Sequence, residues 1–92
     1  MAYSEKIKDT IDKAPKTLGN QLGRWAVYLD FPVTKIAKST GATRQTVYNW
    51  FSGGEVAPAY RGSVQGLVDI MQTCNSSEDA WRKICNHLNL RG

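Results

Sequence analysis

The stretch VTKIAKSTGATRQTVYNWFS, residues 33–52, decides the fold of this chain. Ile36 and Ala37 are predicted to point inward from a first helix, and the small Ala37 leaves room for a second helix to cross closely. Gly41 is predicted to make the turn, because a tight helix-to-helix turn usually needs a positive φ that costs other residues about 1–2 kcal/mol. The stretch therefore predicts two short helices joined by a glycine turn.

The second of these helices, about residues 43–52, is predicted to have two different faces at about 100° per residue. Thr43 fits its N-cap, with a hydroxyl that accepts from the backbone N–H of Gln45 or Thr46. The outward arc comprises Arg44, Gln45, Tyr48, Asn49 and Ser52, and the inward side comprises Thr46, Val47, Trp50 and Phe51. Because Arg pairs with guanine edges and Asn or Gln with adenine, the outward arc suits the major groove of DNA.

This stretch is similar to the helix-turn-helix of the phage lambda repressor and Cro family, also called the Xre-type family. Ala37 and Gly41 fall where that family has its small helix residue and its turn glycine. The family's core positions are matched by Ile36, Val47 and Trp50. Thr40 stands where the family usually has a larger aliphatic residue, and Phe51 where a polar residue is common. The resemblance implies a lambda-repressor-like fold with a central helix-turn-helix that binds DNA.

The same resemblance implies which side chains meet the DNA. Base contacts are assigned to Arg44, Gln45 and Asn49, with Tyr48 beside them. Phosphate contacts position a protein on the duplex without carrying sequence information. For these we predict Thr34, Lys35, Lys38, Thr43, Ser52 and Arg61.

Positive charge is concentrated around this stretch. The chain has a net charge of +4, and residues 31–62 hold four basic side chains but only one acidic side chain. Those basic residues are Lys35, Lys38, Arg44 and Arg61. A local excess of this kind favours contact with phosphates, although an ordinary solvated face is the alternative.

Length and hydropathy set the frame for these predictions. A chain of 92 residues fits one domain, here residues 1–92, with a modest core. No apolar run approaches the roughly 18 residues of a membrane span, and no secretory leader is apparent. We therefore expect no membrane association and a location in the cytoplasm of a bacterial host.

Catalytic chemistry has little support in the sequence. His87 is the only histidine, and no nucleophile or carboxylate is spaced to serve it. Cys74 and Cys85 lack a metal-binding pattern and are predicted to be structural thiols. There is no Gly-rich phosphate loop. We expect no enzyme activity, no cofactor, no metal and no small-molecule ligand.

The rest of the chain predicts helices and almost no strand, and so an all-α, compact bundle of about five to six short helices. Predicted starts are Ser4, Thr17, Pro58 and a capping box at Ser76 and Asp79, and the last helix is predicted to reach about His87. Gly19 and Gly23 disfavour the second helix unless their shared face allows close contact with another helix. Trp25, Trp50 and Trp81 fall on apolar stripes and are predicted to lie in the core.

Two functions from different classes fit these features. The first is a sequence-specific transcription regulator of phage or bacterial type, whose recognition helix, about residues 43–52, enters the major groove of duplex DNA. The second is a phage DNA-packaging or excision accessory protein that uses the fold mainly for assembly. Arg44, Gln45 and Asn49 favour the regulator, since a weakly specific binder needs mainly Lys and Arg for phosphates.

A homodimer on a two-fold operator is expected for a regulator of this size. The last helix carries an apolar stripe of Trp81, Ile84, Cys85 and Leu88, which Leu90 extends. This stripe either forms the dimer contact or closes the core of the monomer, and the sequence leaves both open.

Overall fold

The structure is a computed structural model that describes residues 3–88, and six α-helices lie in that range. They are α1 (Glu5–Lys13), α2 (Leu18–Leu29), α3 (Val33–Thr40), α4 (Arg44–Phe51), α5 (Pro58–Met71) and α6 (Ser77–Leu88). No strand occurs within these residues. The prediction of an all-α bundle of short helices is confirmed.

Hydroxyl side chains begin the helices where the sequence predicted. Ser4 and Thr17 each accept a hydrogen bond from a backbone N–H three residues later, at 3.3 Å and 3.2 Å. Ser76 accepts from the N–H of Asp79 at 3.1 Å. The predicted capping box is only half formed, because the Asp79 carboxylate turns instead to Arg82 and Lys83, at 2.5 Å and 3.3 Å.

Helices α2 and α4 approach so closely that glycine is required between them. A Cβ atom on Gly19 would lie 2.6 Å from the Cβ of Trp50 and 2.8 Å from the Trp50 carbonyl oxygen. A Cβ atom on Gly23 would lie 2.8 Å from the Phe51 ring. The two glycines thus allow the close contact between helices that the sequence predicted as the condition for a helix here. Gly23 leaves room for the buried ring of Phe51.

All six helices contribute side chains to one hydrophobic core. Its fully buried members include Leu22, Ile36, Val47, Val64, Met71 and Ile84. On α6, Ala80 and Ile84 are buried, and Trp81, Cys85 and Leu88 are half-buried. Much of the α6 stripe therefore closes the core, as one of the two alternatives predicted, whereas Leu90 lies outside the described residues.

The three tryptophans all pack in or against the core, but only Trp50 is fully enclosed. Trp50 is 2% exposed and packs against Tyr60 of α5 with ring centroids 5.4 Å apart. Trp25 and Trp81 are half-buried and pack against the edge of the core. Trp25 lies on the side of α2 away from Gly19 and forms an edge-on contact with Tyr28, which is 77% exposed. The apolar stripe of α2 is therefore wider than the part of its surface that the neighbouring helices bury.

We predict that Gly19→Ala lowers the free energy of unfolding by roughly 1–3 kcal/mol, because the methyl group overlaps backbone atoms that cannot move aside. Gly62→Ala is the matched control, since Gly62 lies inside α5 with no atom within 4 Å of an added Cβ. This control should gain about 0.5–1 kcal/mol. Urea unfolding measures both, and equal stabilisation by the two substitutions would contradict the α2–α4 contact.

Candidate nucleic-acid interface

The turn between α3 and α4 has the conformation that the sequence predicted. Gly41 has φ = +79°, and its N–H donates to the Ala37 carbonyl oxygen at 2.9 Å. Nothing lies within 4 Å of a Cβ built on Gly41, so its backbone angle alone requires glycine. Thr40 donates its hydroxyl to the Ile36 carbonyl and accepts from the Ala42 N–H at 3.3 Å. Thr40 therefore has a role in the turn.

Both ends of α4 are fixed by hydrogen bonds. At its start, the Thr43 hydroxyl accepts from the Thr46 N–H at 3.2 Å, as predicted. At its end, the Gly53 N–H donates to the Trp50 carbonyl at 3.0 Å and the Gly54 N–H to the Asn49 carbonyl at 2.8 Å. Together with φ = +94° at Gly53, this pair of bonds is a Schellman motif. The helix is held to eight residues.

The outward side of α4 presents three of the four predicted base-contacting residues. Arg44, Gln45 and Asn49 are exposed, and we call them the recognition face. The Gln45 amide donates to the Asn49 side-chain oxygen at 3.4 Å, so the two amides lie along one line of the helix. Arg44 forms no ion pair within residues 3–88 and remains available to an external partner.

Tyr48, the fourth predicted base-contacting residue, is not fully outward. It is half-buried, and its ring packs edge-on against Phe51 with centroids 6.2 Å apart. It lines a groove between α1 and α4 of about 320 Å³, together with Ile7 and Thr10 of α1. The prediction that Tyr48 faces outward is therefore corrected, because its ring packs against the buried Phe51.

The predicted phosphate contacts fall into three groups. Thr34, Thr43 and Ser52 are exposed and lie in the helix-turn-helix or directly after it. Lys35 and Lys38 converge on the Trp81 ring, with their Nζ atoms 5.3 Å and 5.9 Å from its centroid. Arg61 is paired with Glu55 at 3.6 Å and donates to the Val56 carbonyl. The structure thus brings the two lysines together and leaves Arg61 with a partner.

Trp81 is a functional candidate that sequence reasoning missed. A cation over an indole face is attracted by the ring, typically by about 0.5–1 kcal/mol at exposed sites. Trp81 also contacts Phe31, with ring centroids 6.2 Å apart, and so is held between the core and the two lysines. Contact with the Trp81 ring therefore orients the side chains of Lys35 and Lys38.

Asn20 is a second residue that sequence reasoning missed, and it positions α4. Its side chain is 0% exposed, and its Nδ2 atom donates to the Ile11 carbonyl at 2.9 Å and to the Phe51 carbonyl at 2.8 Å. Its Oδ1 atom accepts from the Arg24 Nε at 2.7 Å. One amide therefore joins the ends of α1 and α4 to α2. The available signal was an asparagine between Gly19 and Gly23, at the edge of the buried face of α2.

Tyr3 attaches the N-terminal segment to the helix-turn-helix. It is buried, its ring lies 6.0 Å from that of Phe51, and its hydroxyl donates to the Phe31 carbonyl at 2.5 Å. Burial, reinforced by Tyr48 and Asp30, raises the pKa of the Tyr3 hydroxyl well above its ordinary value. The hydroxyl therefore stays protonated and keeps its role as a donor.

Residues 3–88 offer little to other kinds of site. No group of His, Cys, Asp and Glu side chains there could hold a metal ion, and no helix there is long and apolar enough to cross a membrane. Cys74 and Cys85 are free thiols. Comparison with known proteins gives no matching family model, no matching curated protein and no matching solved structure.

We predict that Asn20→Asp destabilises the fold, because a carboxylate cannot donate to the Ile11 and Phe51 carbonyls. The Ile11 carbonyl keeps the Ala14 N–H, at 3.3 Å, but the Phe51 carbonyl loses the Asn20 donor, and a buried acceptor left unsatisfied costs about 1–3 kcal/mol. Gln21→Glu is the matched control, since it makes the same amide-to-acid change at an exposed site on the same helix. Its effect should stay within about 0.5 kcal/mol. Denaturant midpoints compare the two, and identical midpoints would show that the amide contributes nothing.

Proposed function

We propose that this protein is a sequence-specific regulator of transcription that inserts α4 into the major groove of duplex DNA. The observation that carries the proposal is the recognition face, which combines a guanidinium with two amides on one side of a short helix. Arginine pairs with the O6 and N7 atoms of guanine, and Asn or Gln with N6 and N7 of adenine. No residue of this face is needed by the core, so all three are available to base edges.

The charge around α4 supports the same proposal. No acidic residue occurs from Phe31 to Gly54, whereas Lys35, Lys38 and Arg44 lie within that segment. None of the three forms an ion pair within residues 3–88. Phosphate contacts supply the sequence-independent part of DNA affinity, and unpaired cations beside a recognition helix serve that purpose.

We further propose membership of the lambda repressor and Cro family and a cytoplasmic location in a bacterial host. We also propose that two copies of the protein pair on DNA half-sites about 34 Å apart, since one recognition helix contacts only a few base pairs. On α6, Ala80 and Ile84 are already buried within the chain. A dimer contact on this helix would therefore use its half-buried residues, Cys85 and Leu88.

Selection of bound duplexes from a random DNA pool tests the function directly. A regulator enriches one sequence, and a dimer enriches a sequence with two-fold symmetry and a fixed half-site spacing. A protein that serves assembly retains duplexes without a shared sequence. That second outcome would contradict the proposed function.

We predict that Arg44→Ala loses roughly 1–3 kcal/mol of affinity for the selected duplex and relaxes the preference at one base pair, a guanine. Arg82→Ala is the control, since Arg82 is an exposed arginine of α6. Titration of matched and single-mismatch duplexes separates affinity from specificity. Full discrimination by the Arg44 variant would show that another residue contacts that base.

We predict that Lys35→Ala and Lys38→Ala each weaken all duplexes alike and reduce the log–log salt slope by about 1. Arg61→Ala should change the slope less, because Glu55 already balances its charge. Binding is measured between low and physiological salt for every variant. Unchanged slopes in both lysine variants would remove α3 from the DNA contact.

A further inference from the structure

The two sides of helix α1 differ in net charge. At about 100° per residue, Lys6, Thr10 and Lys13 fall on one side together with Asp9, which leaves that side basic, and Glu5, Lys8 and Asp12 fall on the other side, which is acidic. The sequence of this region contains nearly equal numbers of acidic and basic residues, which hides the separation. The structure shows which neighbour each side of α1 faces.

The basic side of α1 lies next to the recognition helix. Thr10 and Ile7 line the groove whose opposite wall is formed by Gln45 of α4 and by Ser52 directly after it. The other side of α1 faces α2, where Asp12 pairs with Arg24 at 3.6 Å. Lys6 and Lys13 therefore fall next to Thr10, at the solvent-exposed edge of this groove.

The turn after α1 adds a third lysine near the end of α4. Pro15 lies against Gly53, since a Cβ on Gly53 would be 2.7 Å from the Pro15 Cδ. Lys16 follows Pro15 and is exposed. We call Lys6, Lys13 and Lys16 the lysine flank.

The charges of the lysine flank are largely uncommitted. Lys6 and Lys16 form no ion pair within residues 3–88. Lys13 pairs with Asp9 at 3.1 Å, but both side chains are mostly exposed, and such pairs contribute little. By contrast, Lys8 is paired with Glu5 on the α2 side of the same helix.

We propose that the lysine flank is a second phosphate-contacting surface, which binds the DNA backbone on the side of α4 away from Lys35 and Lys38. This inference rests on the proposed function. A helix in the major groove, which is about 12 Å wide, has a phosphate backbone on each side. Helix α3 joins the start of α4, and α1 with its following turn lies along Tyr48, Ser52 and Gly53. The two groups of lysines therefore face the two strands.

The test compares two double variants in the full chain by titration of the selected duplex at several salt concentrations. Lys6→Gln with Lys16→Gln removes two charges from the lysine flank. Lys8→Gln with Lys83→Gln removes two charges from elsewhere, because Lys83 is on α6 and pairs with Asp79. Circular dichroism checks that both variants remain folded.

The flank variant should reduce the salt slope by about 1.8, which is 0.9 for each lost phosphate contact, and should weaken all duplexes without changing base preference. The control variant should change the slope by much less. Equal slopes for the flank variant, the control and the wild type would overturn this inference while the proposed function stands. Failure of the wild-type chain to bind any duplex would overturn both.

Discussion

The side-chain amide of Asn20 holds three helices, α1, α2 and α4, in a fixed arrangement. It donates to one carbonyl group in the last turn of each of α1 and α4, where a helix lacks further N–H groups of its own to bond its carbonyls. The Ile11 carbonyl also accepts from the Ala14 N–H at 3.3 Å. Inside the core these bonds are made without competition from water, and their loss would leave polar groups buried. The glycine contact of α2 with Trp50 and Phe51 brings the backbones close enough for the amide to reach both carbonyls. Packing and polar bonding therefore depend on each other at this point.

Helix α4 has little stability of its own. A helix of eight residues is too short to persist in water, because nucleation is costly and few hydrogen bonds repay it. Its stability comes from Val47, Trp50 and Phe51, which are buried, and from hydrogen bonds at its two ends. The orientation of any residue on its outer side is thus set by contacts on its inner side. Tyr48 belongs partly to both sides, since its ring packs against Phe51 and lines the groove beside α1.

Local features of this fold could be predicted from sequence, and features that depend on distant contacts could not. The caps at Ser4, Thr17 and Thr43 and the turn at Gly41 are set by neighbours within three or four residues. The half-buried positions of Trp25 and Trp81 depend on which helices cover them, and hydrophobic periodicity does not contain that information. The recognition face could be predicted from residue spacing within one helix. The position of α1 beside α4 could be known only from the folded structure. The bonding of Asn20 joins residues 9 and 31 positions apart and left almost no sequence signal.

The division of α4 into an inner and an outer side has a consequence for how such a protein could diverge. Arg44, Gln45 and Asn49 are exposed, and the bonds that begin and end the helix come from Thr43, Gly53 and Gly54. Exchange of the three outer side chains would leave folding almost untouched. Under the proposed function, base preference can therefore drift or be redesigned at these positions at little thermodynamic cost, while the scaffold beneath them stays constant.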